Sequence, residues 1–203
     1  MAHSMKKMIV ISFDAVGKSD LPSLRQNQVF NSYFTEGAFC DNVSSVYPSV
    51  TYPAHTSIIT GLLPKHHGVI NNTLLQPERM ASPDWMWQKK YVRGVTLYDR
   101  LLDQGKTVSS TFWPVTARSK VTYNLPEVLA NRTWQNQVTV SLISGSPLYE
   151  IELFANFRSE LSGISQPQLD NFAMKSAIHT LKKYSPDLML IHLTDVDTTR
   201  HNY

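Results

Sequence analysis

The chain has 203 residues, 42% hydrophobic and 17% charged, enough apolar material for the core of one domain. Its formal charge is only +3, and the Lys and Arg residues are scattered, so no basic groove for nucleic acid is expected. Cys40 is the only cysteine, which excludes an intrachain disulfide framework and a Cys-based zinc knuckle and points to a reducing, cytoplasmic compartment.

In chain order, Met1 to Ser4 precede a second Met-Lys-Lys and read as vector-derived residues, with the domain starting at residue 5. "MIVISFD" is an apolar, β-branched run ending in Asp14, the pattern of a strand buried on both faces of a parallel sheet. It is too short for a signal-peptide core, and no longer run is apolar enough to span a membrane, so neither a secretion signal nor a membrane helix is expected. Leu21 to Glu36 is expected to be helical, "AFCDNVSSVYPS" extended, and Pro53 to Leu62 a short helix closed by Gly61. "PERMASPDWMWQKKYVRG" is expected to wrap the surface or rim a pocket. "TLYDRLLDQGKTVSSTFWP" reads as a helix ended by Gly105, then a strand from Thr107 to Trp113. Val115 to Gly163 carries mixed signals and is read as an insertion. From Gln168 the apolar positions Leu169, Phe172, Ala173, Ala177 and Leu181 keep helical spacing, and "DLMLIHLTDVD" follows as a second buried strand ending in carboxylates. Strands alternating with helices define an α/β fold with a mostly parallel central sheet flanked by helices, whose sites form beyond the carboxyl ends of its strands.

Three positions carry candidate chemistry. Asp14 is either a loop or capping aspartate or a carboxylate paired with a cation, because an ion at the end of an apolar strand is costly when uncompensated. Thr51 precedes Tyr52 and Pro53, and proline in the first helical turn puts the threonine at or beside the helix start. That is the position of an ordinary cap; it is also where a positive helix end and free N–H groups favour phosphate and an attacking oxygen. Asp197 and His201 lie four apart in "TDVDTTRH", so one helical turn would bring a carboxylate and an imidazole to one zinc ion; a solvated acid and a surface histidine are the alternative. His55 and His192, inside a helix and a strand, read as packed structural residues.

Taken together, "ISFDAV", "PSVTYPAHTSIITGLLPKHHGVINN", "TFWP" and "DVDTTRHNY" resemble the type I phosphodiesterase/nucleotide pyrophosphatase family of the alkaline phosphatase superfamily. The resemblance implies an alkaline-phosphatase-like fold and a small phosphate-ester or nucleotide substrate. It implies two divalent metal ions, zinc by preference, with Thr51 and Asp14 on one and Asp197 and His201 on the other. It makes Thr51 the nucleophile and Asn72 the donor to a phosphoryl oxygen, with Asn71 a turn residue. Arg200 stands where the family often has glycine. The family completes its metal sites with an Asp-His pair and a further His C-terminal to the D-x-x-x-H motif; residues 5–203 are therefore expected to be the N-terminal part of the catalytic domain, weakly active or inactive alone. Rival expectations are another enzyme of the superfamily, such as a phosphomonoesterase, phosphonoacetate hydrolase or phosphoglycerate mutase, and a non-catalytic fragment or binding module. The C/S-x-P-x-R setting of a sulfatase is absent around Thr51.

Overall fold

The structure, a computed structural model, describes residues 7–202; the first six residues, including the stretch read as vector-derived, and Tyr203 lie outside it. Four strands, β1 (Met8–Phe13), β2 (Val108–Thr111), β3 (Tyr123–Leu125) and β4 (Leu188–Leu193), pair in parallel in the order β1-β4-β2-β3. The helices are α1 (Leu21–Leu24), α2 (Gln28–Glu36), α3 (Thr51–Thr60), α4 (Pro64–His67), α5 (Leu97–Asp103), α6 (Gln137–Leu142), α7 (Pro147–Phe157), α8 (Gln168–Lys183) and α9 (Asp195–Asn202). This is the α/β architecture with a parallel sheet that the alternating pattern predicts.

Alternation along β4 divides the core between two helical layers. Leu188 and Leu190 pack with Ile59 of α3, Tyr98 of α5 and Trp113. Met189, Ile191 and Leu193 face the other way, onto Ala173 and Ala177 of α8. All six residues of β4 are buried, each large aliphatic one worth about 1.5–3 kcal/mol of transfer free energy. Another cluster joins Leu125 of β3 and Tyr149 and Leu153 of α7 to Phe172 of α8, so the region of mixed signals, residues 115–163, holds β3, α6 and α7 and packs into the core.

β1 departs from expectation. It pairs with β4 along one side only, Met8 with Leu188 through Phe13 with Leu193, and forms the sheet's edge. Its even-numbered residues follow the parity of β4: Val10 packs onto the α3–α5 layer, and Ser12 meets His55 of α3. Its odd-numbered residues Ile9, Ile11 and Phe13 are 39–46% exposed, because α8 covers the centre of the sheet and does not reach them. The expected burial on both faces is therefore wrong for β1 and right for β4.

The long helix expected over Leu21 to Glu36 is broken at Arg25 to Asn27, where Asn27 accepts from the backbone N–H groups of Val29 and Phe30 and starts α2 afresh. Neither α1 nor α2 buries a residue. Residues 38–50 hold no strand, contrary to the extended segment expected there. No described helix is long and apolar enough to cross a membrane.

Candidate active site

α3 owes its start to Pro53 in the first turn, where a missing N–H costs nothing, and its end to Gly61 at φ 67°. Thr51 is the first helical residue rather than the cap: Val50 holds the cap position and offers no side-chain acceptor. The threonine hydroxyl instead donates to Asp14 Oδ2 at 3.1 Å. Strand parity makes this contact, since Asp14 continues the even-numbered face of β1 that looks onto α3. The Tyr52 N–H, one of the free donors of the first turn, is taken by Asn72 Oδ1 at 2.8 Å. That bond fixes the amide's orientation and turns Asn72 Nδ2 away from it as the free donor end. Asn71 accepts from the Asn72 N–H at 2.9 Å and bonds Thr73, as a turn residue does.

Behind this group two histidines are locked face to edge, ring centroids 4.4 Å apart. His55 Nδ1 donates to the Thr51 carbonyl at 2.7 Å, and its Nε2 accepts from Ser12 Oγ at 2.9 Å. Burial, reinforced by the charge on His192, pushes His55 down to about 4, so it is neutral. His192, fully buried, stands 3.4 Å from Asp14 Oδ2 on one side and 3.4 Å from Glu127 Oε2 on the other. At that separation these are ionic contacts; the well-formed hydrogen bond of the ring is from Nδ1 to the Phe112 carbonyl, at 3.2 Å. Burial opposes a charge on His192, but Asp14 and Glu127 outweigh it and push the imidazole up to about 10. In return Asp14, which burial would raise, is held below its ordinary value by His192. Tyr52 is completely buried against Trp85, its ring centroid 5.5 Å away, and lies beside Glu127, whose charge adds to burial in raising the phenol.

The other candidate pair sits on α9, directly past β4. Asp170 of α8 starts this helix by accepting from the N–H groups of Thr194 (3.1 Å) and Asp195 (2.9 Å). One turn then brings His201 Nε2 to 3.5 Å from Asp197 Oδ1, as the i,i+4 spacing predicts, although the His201 side chain is 79% exposed. Burial and then the charge of Asp14 raise Asp197, so the two carboxylates feel each other across the carboxyl rim of the sheet. Arg200 points away from this pair, bonding the Ala15 carbonyl and Asp20.

All five sequence-predicted residues thus sit at the carboxyl ends of β1 and β4 or at the amino end of α3 and the turn bonded to it. The donor set suits divalent cations: burial and the Asp14 carboxylate raise the cost of ionising Asp197, and a hydroxyl and an imidazole stand beside the two acids. Among the described residues, however, no three His, Cys, Asp or Glu side chains converge as a metal-binding group. Sequence reasoning assigned His192 to packing and passed over Glu127 and Asp170. The register of β4 against β1 held the clue, since His192 pairs with Ser12 on the face that carries Asp14.

With this geometry in view, the chain's relatives can be named. The model of the type I phosphodiesterase/nucleotide pyrophosphatase family matches residues 8–203, and the chain belongs to that family. Human ectonucleotide pyrophosphatase/phosphodiesterase family member 1 is 34% identical over 82 residues, covering 38% of this chain and 9% of that protein. Phosphonoacetate hydrolase from Sinorhizobium meliloti, solved with phosphonoacetate, superposes with a TM-score of 0.62 at 18% identity, covering 95% of this chain and 47% of that one. An inactive threonine-to-alanine variant of murine ectonucleotide pyrophosphatase/phosphodiesterase 5, solved in complex with AMP, gives a TM-score of 0.58 at 20% identity, covering 97% and 45%. The fold is shared over nearly all of this chain, which spans under half of those solved chains.

Proposed function

We propose that the chain carries the nucleophile-bearing part of a metal-dependent hydrolase that cleaves phosphodiester or nucleotide pyrophosphate bonds through a covalent threonine intermediate. The observation that carries this reading is the Thr51 hydroxyl, free of any capping duty at the start of α3 and hydrogen-bonded to Asp14. Family membership supports it, as does the AMP complex of the inactive threonine variant of the murine relative.

Asp14 and Thr51 would hold one divalent ion and Asp197 and His201 the other, zinc by the mixture of oxygen and nitrogen donors. Bound there, the ions supply positive charge to the attacking and leaving oxygens and favour loss of the hydroxyl proton. Thr51 Oγ1 attacks phosphorus as the bond to the leaving oxygen breaks, the hydroxyl proton passing through solvent to that oxygen; the resulting phosphoryl-threonine ester, which keeps the second substituent, is then opened by water, returning the hydroxyl and releasing the monoester. Asn72 Nδ2 donates to the phosphoryl oxygen as its charge grows, oriented by the Tyr52 N–H behind it. The free N–H groups and positive end of α3 act on the same oxygens. His192 holds the Asp14 carboxylate in place from the buried side. The lone, exposed Cys40 needs no oxidising environment, and a cytoplasmic location remains part of the proposal.

The test is trapping. A polypeptide of the relatives' full length, loaded with zinc and quenched in acid during turnover of a nitrophenyl phosphodiester, should carry the phosphoryl group with its retained ester substituent on the peptide containing Thr51. Turnover with no phosphorylated Thr51 would sink the covalent mechanism. Residues 1–203 alone, with two side chains offered to each ion, should keep at most one ion weakly after dialysis and hydrolyse little.

A further inference from the structure

Both oxygens of the Asp14 carboxylate are engaged. Oδ1 accepts from the Ala15 N–H at 3.0 Å, and Oδ2 accepts from the Thr51 hydroxyl at 3.1 Å with His192 Nε2 3.4 Å away. That nitrogen is buried and makes no hydrogen bond, so its place beside Asp14 is set from the other end of the imidazole. Two groups meet the ring there: the Phe112 carbonyl accepts from Nδ1 at 3.2 Å, and Glu127 Oε2 stands 3.4 Å from it.

Neither group is placed where local preference would put it. Phe112 lies at φ 54°, a left-handed conformation that a bulky side chain rarely adopts. Its N–H donates to the Leu125 carbonyl at 2.8 Å and ties the end of β2 to the end of β3, while its carbonyl turns to His192. Backbone strain of this kind persists where the surroundings over-determine it, and it concentrates at functional sites. Glu127 follows β3 by two residues, past the buried Pro126. Its Oε2 is buried with no hydrogen bond, as is the hydroxyl of Tyr52 beside it, so the imidazole is the cation that offsets its charge.

Stability alone gives no reason for this acid. An aliphatic side chain would hold the ring by packing without taking a carboxylate oxygen out of water, and exchanges of buried ion pairs for apolar groups are often neutral or stabilising. What an aliphatic side chain would not do is fix the direction in which the ring faces Asp14.

We propose that Glu127 is a positioning residue for the reaction at Thr51: through His192 it holds the Asp14 carboxylate where it accepts the Thr51 hydroxyl. Glu127 itself touches neither Asp14 nor the substrate. Its effect on turnover rests on the phosphodiester reading; its effect on the geometry of Asp14 does not.

The experiment compares the unmodified protein with Glu127→Gln, which keeps the shape of the side chain and removes its charge. In a zinc-loaded polypeptide of the relatives' full length, kcat for a nitrophenyl phosphodiester should fall about ten- to a hundredfold while KM changes by less than about twofold, as for other residues that orient a ligating side chain. Crystal structures of the pair should show the Asp14–Thr51 hydrogen bond, 3.1 Å in the unmodified protein, broken in the variant. Because the effect runs through His192, the same substitution added to His192→Asn should lower kcat by no more than about twofold further. Glu127→Asp, which restores the charge one methylene short, should recover part of the lost kcat, and it carries the same comparison if the glutamine variant does not fold. An unchanged kcat with Asp14 in place, a loss confined to the unfolding midpoint, or a loss undiminished in the His192→Asn background overturns the proposal. The two readings fail separately: a displaced Asp14 with no diester hydrolysed by either protein upholds the positioning and removes the hydrolase, whereas equal, brisk hydrolysis by both removes the positioning alone.

Discussion

The two halves of the candidate site are built in opposite ways. Thr51, Asp14 and Asn72 are interlocked: the hydroxyl bonds the carboxylate, the amide bonds the Tyr52 N–H, and two buried histidines brace the group from behind. Asp197 and His201 are related by one helical turn, with the imidazole mostly in solvent. The first half is organised by tertiary packing between β1, α3 and the 71–72 turn; the second needs only that α9 be helical. Geometry that converges from three elements is already rigid, whereas a pair on one helix is a local motif awaiting a ligand to fix its side chains.

The sharpest way to break that contrast is to remove the centre of the interlocked half. Thr51→Ala should lower phosphodiester hydrolysis about a thousandfold or more while circular dichroism stays unchanged, because alanine suits a helical position and no cap is lost. Near-normal turnover would show that the interlocking serves structure alone. Next in size, Asn72→Ala should lower kcat by about 10²–10³ with a smaller change in KM, as for one lost donor to a developing charge; steady-state kinetics in which Asn71→Ala has the larger effect would move the donor by one residue. Behind the interlocked half, His192→Asn leaves Asp14 and Glu127 facing each other without the cation between them and should lower unfolding free energy by about 3 kcal/mol. The equivalent change on α9, His201→Asn, should be nearly silent in the same denaturant titration.

A further effect lies outside both halves. Glu150 is fully buried with one oxygen unbonded, and burial raises it to about 7 from an ordinary 4.5. Since the folded state holds this proton more tightly than the unfolded one, stability should be full below about pH 4.5 for this group and fall as pH rises through 7, by about 2 kcal/mol. Glu150→Gln should flatten that decline between pH 5 and 8 without altering the pH dependence of catalysis. A decline that persists in the variant would assign it to another group.

The middle segment was the most readable part of the chain. Pro53 and Gly61 delimit α3, and the second of the following asparagines bonds back to the Tyr52 N–H in its first turn, because the local signals there agree with the tertiary fold. β1 was misread for a physical reason: "MIVISF" and "LMLIHL" are equally apolar, and composition reports what a strand tolerates, not how many neighbours it has. The Asn27 break and the irregular residues 38–50 were missed because hydrophobic spacing there has no core to answer to; almost every one of those side chains is exposed. The His192–Glu127 contact joins β4 to the segment after β3, and no single window of sequence contains it.

The parity of β1 has a genetic consequence. Asp14 meets Thr51 because it shares a face with Val10 and Ser12, so deleting or inserting one residue within 8–13 would turn the carboxylate to the opposite side of the sheet. The strand would exchange one apolar set for another and could still pair, yet Thr51 would lose its partner. Between 38 and 50 the chain is irregular and exposed, and a one-residue indel can be absorbed before α3 begins. Two neighbouring stretches of one gene should therefore show opposite tolerance to frame-preserving length changes, the intolerant one failing in activity long before it fails in expression.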